Sequence, residues 1–97
     1  MSTRNVKLEA AVEGRVVKWA CTRDIICLKL TPDGQRGWPD RMFILRGRVA
    51  FIEFKAAGEE LRDLQKHRID RLMEEGIAVT WGSDYDTLIA WLGKTLY

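Results

Sequence analysis

Between residues 5 and 21 no proline interrupts the chain, and Leu8, Val12, Val16 and Trp19, with Ala20 beside them, recur at helical spacing. This segment is predicted to be the first helix. Residues 24–30, centred on Ile25, Ile26, Cys27 and Leu28, read as a strand. Thr31-Pro32-Asp33-Gly34 has the chemistry of a turn, and the loop runs on through Gly37 to Pro39. Two apolar runs, residues 41–46 and 49–55, then form a hairpin around Gly47. Gly58 ends that unit, and a second helix follows over residues 59–75, stopped by Gly76. Residues 77–81 make a short buried strand. Ser83-Asp84 caps a last helix whose apolar stripe is Leu88, Ile89, Trp91 and Leu92. The predicted order is αβββαβα, an α/β fold with a small mixed sheet, helices on both faces, and a crossover helix before the fourth strand.

Several polar residues break these patterns. Glu9 and Glu13 fall within the arc of Val12, Val16 and Ala20, one turn apart on the same face. In the second helix Leu61, Leu64, Ile69 and Leu72 define a stripe that also contains Gln65 and Arg68. Polar groups that face inward need partners. Glu53 interrupts the second hairpin strand and Lys55 closes it; strand alternation puts both on one side, with Val49 and Phe51. A charge beside buried hydrocarbon is costly unless it is paired or binds a metal. Asp40 ends the Gly37-Trp38-Pro39 turn just before the hairpin. An acid followed by acid-x-lysine on a neighbouring strand suits metal-assisted phosphodiester hydrolysis. A helical glutamate would complete a hard-oxygen pocket for Mg²⁺ or Mn²⁺. Each residue also has a plainer structural explanation. Glu9 or Glu13 can pair with an arginine or lysine, Gln65 can bond backbone, and Glu53 with Lys55 can be an in-plane ion pair.

Length bounds these readings: 97 residues make one domain, 1–97, burying roughly two thirds of its unfolded surface in one core. No apolar stretch approaches the ~18 residues of a membrane span, and the N-terminus lacks a signal peptide's apolar core. Cys21 and Cys27 without a CxxC read as reduced thiols, so the protein is expected in the cytoplasm. A net charge of +2 does not by itself mark a nucleic-acid binder. The clusters are more telling: Arg36 and Arg41 flank the Asp40 turn, Arg46 and Arg48 sit at the hairpin tip, and Arg62, Lys66, Arg68 and Arg71 line the second helix. Phosphate contacts need such clusters near the chemistry. His67 reads as a surface residue. Trp19, Trp81 and Trp91 are expected in the core, where one of them could instead form a dimer patch.

Val12-Glu13, Gly37-Trp38-Pro39-Asp40-Arg41, Phe51-Ile52-Glu53-Phe54-Lys55-Ala56 and Leu64-Gln65-Lys66, followed by Leu72 and Gly76-Ile77-Ala78-Val79, occur in this order along almost the whole chain. Together they resemble the virus-type replication-repair nuclease (VRR-NUC) domain of the PD-(D/E)XK nuclease superfamily. The resemblance implies a restriction-endonuclease-like core and an Mg²⁺- or Mn²⁺-dependent endodeoxyribonuclease. In it Asp40, Glu53 and the Phe54 backbone carbonyl would be metal ligands. Glu13 would be the helix-one acid, with Glu9 as the alternative. Lys55 would contact the scissile phosphate or orient the attacking water, and Gln65 would support the site through water or the lysine. Arg36, Arg41, Arg46, Arg48, Lys66 and Arg68 are the candidate DNA contacts. Stand-alone members of this size are typical of phages and prophages, resemble Holliday-junction resolvases and tend to be homodimers, so branched, four-way DNA is the expected partner. Two competing readings remain: a nucleic-acid-binding module of the same fold without catalysis, and a protein-interaction or packaging-accessory domain.

Overall fold

The computed structural model describes residues 3–97, so the first two residues of the predicted domain lie outside the described residues. The elements are α1 (Thr3–Cys21), β1 (Ile26–Lys29), β2 (Arg41–Leu45), β3 (Arg48–Phe54), α2 (Asp63–Glu74), β4 (Ala78–Gly82) and α3 (Tyr85–Leu96). This is the predicted αβββαβα order. The first three strands form an antiparallel meander, and β4 adds beside β3 in parallel. A parallel neighbour requires a crossover, and α2 makes it.

Local chemistry sets the boundaries. Arg46 (φ 52°) and Gly47 (φ 80°) both occupy the left-handed region, which a tight two-residue hairpin needs if its twist is to match the strands. Helix α1 ends where Asp24 turns to φ 59° and the Ile25 N–H donates to the Ala20 carbonyl at 3.1 Å. That cap delays the first strand to Ile26. Helix α2 also starts later than its pattern suggests. Side chains hold the preceding segment instead: Glu59 Oε1 accepts from the Ala56 N–H at 2.9 Å, and Gln65 Oε1 accepts from the Arg62 N–H at 2.8 Å. The predicted cap of α3 is present, with Asp84 Oδ2 accepting from the Thr87 N–H at 2.9 Å.

Alternation along β3 builds two unequal cores. Ala50, Ile52 and Phe54 are fully buried with Phe43 against Val16 and Ala20 of α1 and Leu88, Leu92 and Leu96 of α3. On the other face Phe51 packs with Leu61, Ile69, Leu72, Ile77 and Val79 beneath α2. Each large apolar side chain so buried stabilises the fold by ~1.5–3 kcal/mol. A one-residue slip of β3 would drive Glu53 into the larger core, so the register is strongly specified. Two expectations are corrected. Trp81 is 46% exposed, because β4 is an edge strand with no neighbour beyond it, whereas Trp19 and Trp91 do pack against the core. Leu64 is 42% exposed on the flank of α2 and serves the loop before β2 instead.

That loop lies directly on α2. Gly37 has φ 84°, and a Cβ there would stand 2.7 Å from Leu64 Cγ and 3.3 Å from Arg68 Cγ. Gly37→Ala is therefore expected to destabilise the fold by about 1–3 kcal/mol. Adding Leu64→Ala should recover the steric share and leave the backbone share. Urea titration of the single and double variants measures both; a Gly37→Ala variant as stable as wild type would contradict the close approach.

Candidate active site

The register that pairs Arg41 with Ile52 brings Asp40 beside the carboxyl end of β3. Asp40 Oδ2 accepts from the Phe54 N–H at 2.8 Å, and the Asp40 carbonyl accepts from the Leu30 N–H at 2.9 Å, which ties the turn to β1 and β3 at once. Glu53 (5% exposed) and Lys55 (4%) are the buried charged residues among the described residues. Glu53 Oε2 accepts from Gln65 Nε2 at 2.9 Å and lies 3.7 Å from Lys55 Nζ. Gln65 is thus used at both ends: its carbonyl caps the first turn of α2 while its amide holds Glu53. Its predicted support of the site is direct rather than through water or the lysine. The Lys55 N–H donates to the Gly82 carbonyl at 2.9 Å, fixing the lysine at the end of the parallel pair. A cavity of about 170 Å³ adjoins Lys55, lined also by Leu8, Val12, Ala56, Ala57 and Ser83.

Burial dominates the electrostatics here. It pushes the Glu53 carboxyl up to about 8, helped by the Asp40 charge and opposed by Lys55. Burial also raises Asp40, with the Phe54 N–H opposing it and the Glu13 charge adding to it. The ion pair with Lys55 does not compensate for lost hydration, as is common for buried pairs. Glu9 is raised by burial, then by the charges of Glu59 and Asp40.

The two helix-one acids differ in their partners. Arg41 faces α1, where its Nε donates to Glu13 Oε2 at 2.7 Å. Glu13 is therefore paired with an arginine, although its charge still reaches Asp40. Glu9 instead adds to the charge felt by Glu53, and its Oε2 is buried without a hydrogen-bond partner. Among the described residues no three carboxylate, histidine or cysteine side chains gather at metal-holding spacing. Of the expected three-carboxylate pocket, Asp40 and Glu53 form the nearest pair, with the Glu9 charge beside them. That pair still suits a hard divalent cation: its donors are carboxylate oxygens, and a positive ion would offset the mutual repulsion and desolvation that raise both groups. The orphaned oxygen of Glu9 is a further donor of the same kind. Phe54 touches Asp40 through its N–H.

The predicted DNA contacts also divide. Arg41 is taken by Glu13. Arg48 Nη1 donates to the carbonyls of Leu96 (3.4 Å) and Tyr97 (2.8 Å), holding the end of α3. Arg68 Nε donates to the Arg36 carbonyl at 3.1 Å, and its guanidinium stands 4.6 Å from the Trp38 ring centre. Trp38 Nε1 donates to Gln35 Oε1 at 2.8 Å. Arg36, Arg46 and Lys66 have exposed side chains, as does His67.

No protein-family model and no curated protein matches the chain in sequence. Among solved structures, a VRR_NUC domain aligns with a TM-score of 0.81, covering 89% of this chain and 95% of its own at 22% identity. The fold is the VRR-NUC fold. Within this VRR-NUC fold Asp40, Glu53, Lys55 and Gln65 lie together. Glu59 is a member of the cluster that no sequence pattern flags. It stands beside Glu9 and holds the Ala56 N–H, and its only signal is a glutamate three residues past Ala56 across the Gly58 turn.

The raised Glu53 carboxyl has a thermodynamic consequence. An acid whose folded pKa lies above its ordinary value contributes stability below that ordinary value and loses it as pH rises through the folded one. In chelator, wild-type protein is expected to lose stability as pH rises from 4.5 to 8. Glu53→Gln should flatten that slope, leaving the smaller part due to Asp40 and Glu9. Melting temperatures across this range provide the check, and parallel curves for the two proteins would contradict the assigned burial.

Proposed function

We propose that this protein is an Mg²⁺- or Mn²⁺-dependent endodeoxyribonuclease. It hydrolyses phosphodiester bonds in branched DNA, including four-way (Holliday) junctions, as a homodimer in the cytoplasm of a bacterial or phage-infected cell. The supporting observation is one juxtaposition in a VRR-NUC fold: Asp40 beside Glu53, with Lys55 Nζ 3.7 Å from the Glu53 carboxylate. Asp40 and Glu53 would hold the ion, with the Phe54 carbonyl and Glu9, in place of Glu13, as further oxygen donors. When bound, the ion supplies Lewis acidity toward water and the scissile phosphate.

The remaining work falls to the chain itself. Lys55 presents its ammonium where negative charge grows on the phosphate oxygens, a role that burial strengthens. Gln65 keeps Glu53 from rotating away. The Phe54 N–H fixes Asp40. Arg36, Arg46 and Lys66 are the exposed cations that receive the flanking backbone. No covalent enzyme intermediate is needed. The described residues extend about 37 × 27 × 23 Å, too little to grip four DNA arms, whereas a two-fold dimer sets two sites opposite each other in keeping with junction symmetry.

A second reading, a non-catalytic nucleic-acid-binding module, draws on the Arg41–Glu13 pair and on the lack of a three-carboxylate cluster among the described residues. Labelled linear, flapped and four-way DNA incubated with Mg²⁺, Mn²⁺ or chelator separates the two. Cleavage is expected with either metal and not with chelator. Asp40→Ala and Lys55→Met should each lower the rate by about 10²–10³-fold, Lys55→Met without loss of DNA binding. Metal should also raise the melting temperature of wild type but not of Asp40→Ala. DNA binding with neither cleavage nor a metal-dependent shift would establish the module instead.

A further inference from the structure

A cleft of about 430 Å³ lies between the C-terminal half of α1 and the start of α3, lined by Arg15, Lys18, Trp19, Thr22, Arg23 and Tyr85. It holds three cations and no acid, in a chain whose whole excess is +2. At about 100° per residue, Lys18 lies on the opposite side of α1 from Glu9, so the cleft and the carboxylate site occupy different flanks of one helix. Among the described residues none of the three cations forms a salt bridge.

The cations are also posed. The Arg15 guanidinium stands 3.9 Å from the centre of the Tyr85 ring, and that of Arg23 stands 4.4 Å from the Trp19 ring. Arg23 doubles as a cap: its Nη1 donates to the Trp19 carbonyl at 3.1 Å and to Thr22 Oγ1 at 3.2 Å. Arg15 and Lys18 have no such duty. Asp84, next to Tyr85, is occupied by the Thr87 N–H (2.9 Å) and hydroxyl (2.6 Å), leaving Asp86 as the other acid of that turn. Guanidinium planes laid on aromatic rings can stack a nucleobase on their outer face while their edges donate to phosphate.

We propose that this cleft, in which Arg15 and Arg23 lie on Tyr85 and Trp19 beside Lys18, is a second DNA-binding site. It receives the phosphates and unstacked bases of a strand that leaves the branch. The choice of DNA as ligand rests on the nuclease reading. An acidic peptide would use the charges but has no need of stacked arginine–aromatic pairs. A second contact on the far flank of α1 gives a domain of this size a means to prefer branched over linear DNA, because only a branched substrate reaches both flanks.

The test compares wild type with the double variant Arg15→Glu, Lys18→Glu. Fluorescence anisotropy in chelator, over a salt series, uses a labelled four-way junction, a linear duplex and polyglutamate as competitor. The junction affinity of the variant is expected to fall by about tenfold or more. Its log–log salt slope should become shallower by about 2, one for each phosphate that the variant no longer neutralises. Cleavage of linear DNA with Mg²⁺ should be unchanged. Both positions are exposed, and circular dichroism verifies folding, with Arg15→Gln, Lys18→Gln as the milder pair. Unchanged junction affinity and slope would overturn the site while leaving the nuclease intact, as would polyglutamate displacing junction DNA at equal charge. A wild type that binds junctions with the stated slope but never cleaves them removes the nuclease and retains the cleft.

Discussion

Glu53 and Lys55 close β3 amid hydrocarbon, and their 3.7 Å separation does not compensate for the water they lose. The surroundings must therefore supply more. Gln65 donates to Glu53 from the first turn of α2, which also turns the partial positive charge of that helix end toward the carboxylate. The segment leading into α2 is shaped by the same requirement. Its late start at Asp63 and its extended approach allow one glutamine to cap the helix and reach the sheet. The Glu53 carboxyl is kept under electrostatic tension, by burial first and by the Asp40 charge second.

Topology explains why the tension falls where it does. The antiparallel β2–β3 pair brings the start of one strand to the end of the other, so Asp40 arrives beside Glu53 although thirteen positions separate them. The parallel β3–β4 pair then aligns two carboxyl ends, where a crevice is open and ligands of open α/β sheets commonly bind. Helix α1 passes with Glu9 toward this crevice. Two pairing senses in a four-stranded sheet thus gather groups from a loop, a strand and two helices.

What a sequence conveys follows from the range of each interaction. The hairpin, the crossover helix and the Asp84 cap depend on neighbours within a few residues, and their signals are legible. Glu53, Lys55 and Gln65 stand out because each breaks a hydrophobic pattern, and a broken pattern is a local fact. The choice between Glu9 and Glu13 is not legible. The two lie one turn apart, and what separates them is Arg41, brought to α1 by the β1–β2 pairing. The exposure of Trp81 is hidden for a similar reason: it depends on whether β4 has a neighbour on each side, which no periodicity encodes. Leu64 belongs to the apolar stripe by spacing but packs on Gly37, a contact made by a distant loop.

Basic residues obey the same rule. Arg41, Arg48 and Arg71 look like phosphate contacts in the sequence, yet each already has a partner: Glu13 for Arg41, the end of α3 for Arg48, and the surface residues Glu74 and Glu75 for Arg71. A committed arginine must break an existing interaction before it can neutralise a phosphate, so it contributes less to binding than a free one. Besides Arg36, Arg46 and Lys66, exposed positive charge also lies where no motif points, as Arg15 and Lys18 on the flank of α1 facing α3. One helix separates a carboxylate cluster from a cationic cleft, and its mixed composition reflects those two flanks. The residues that spoil its amphipathic pattern on one side and crowd cations on the other are placed by what each side must face.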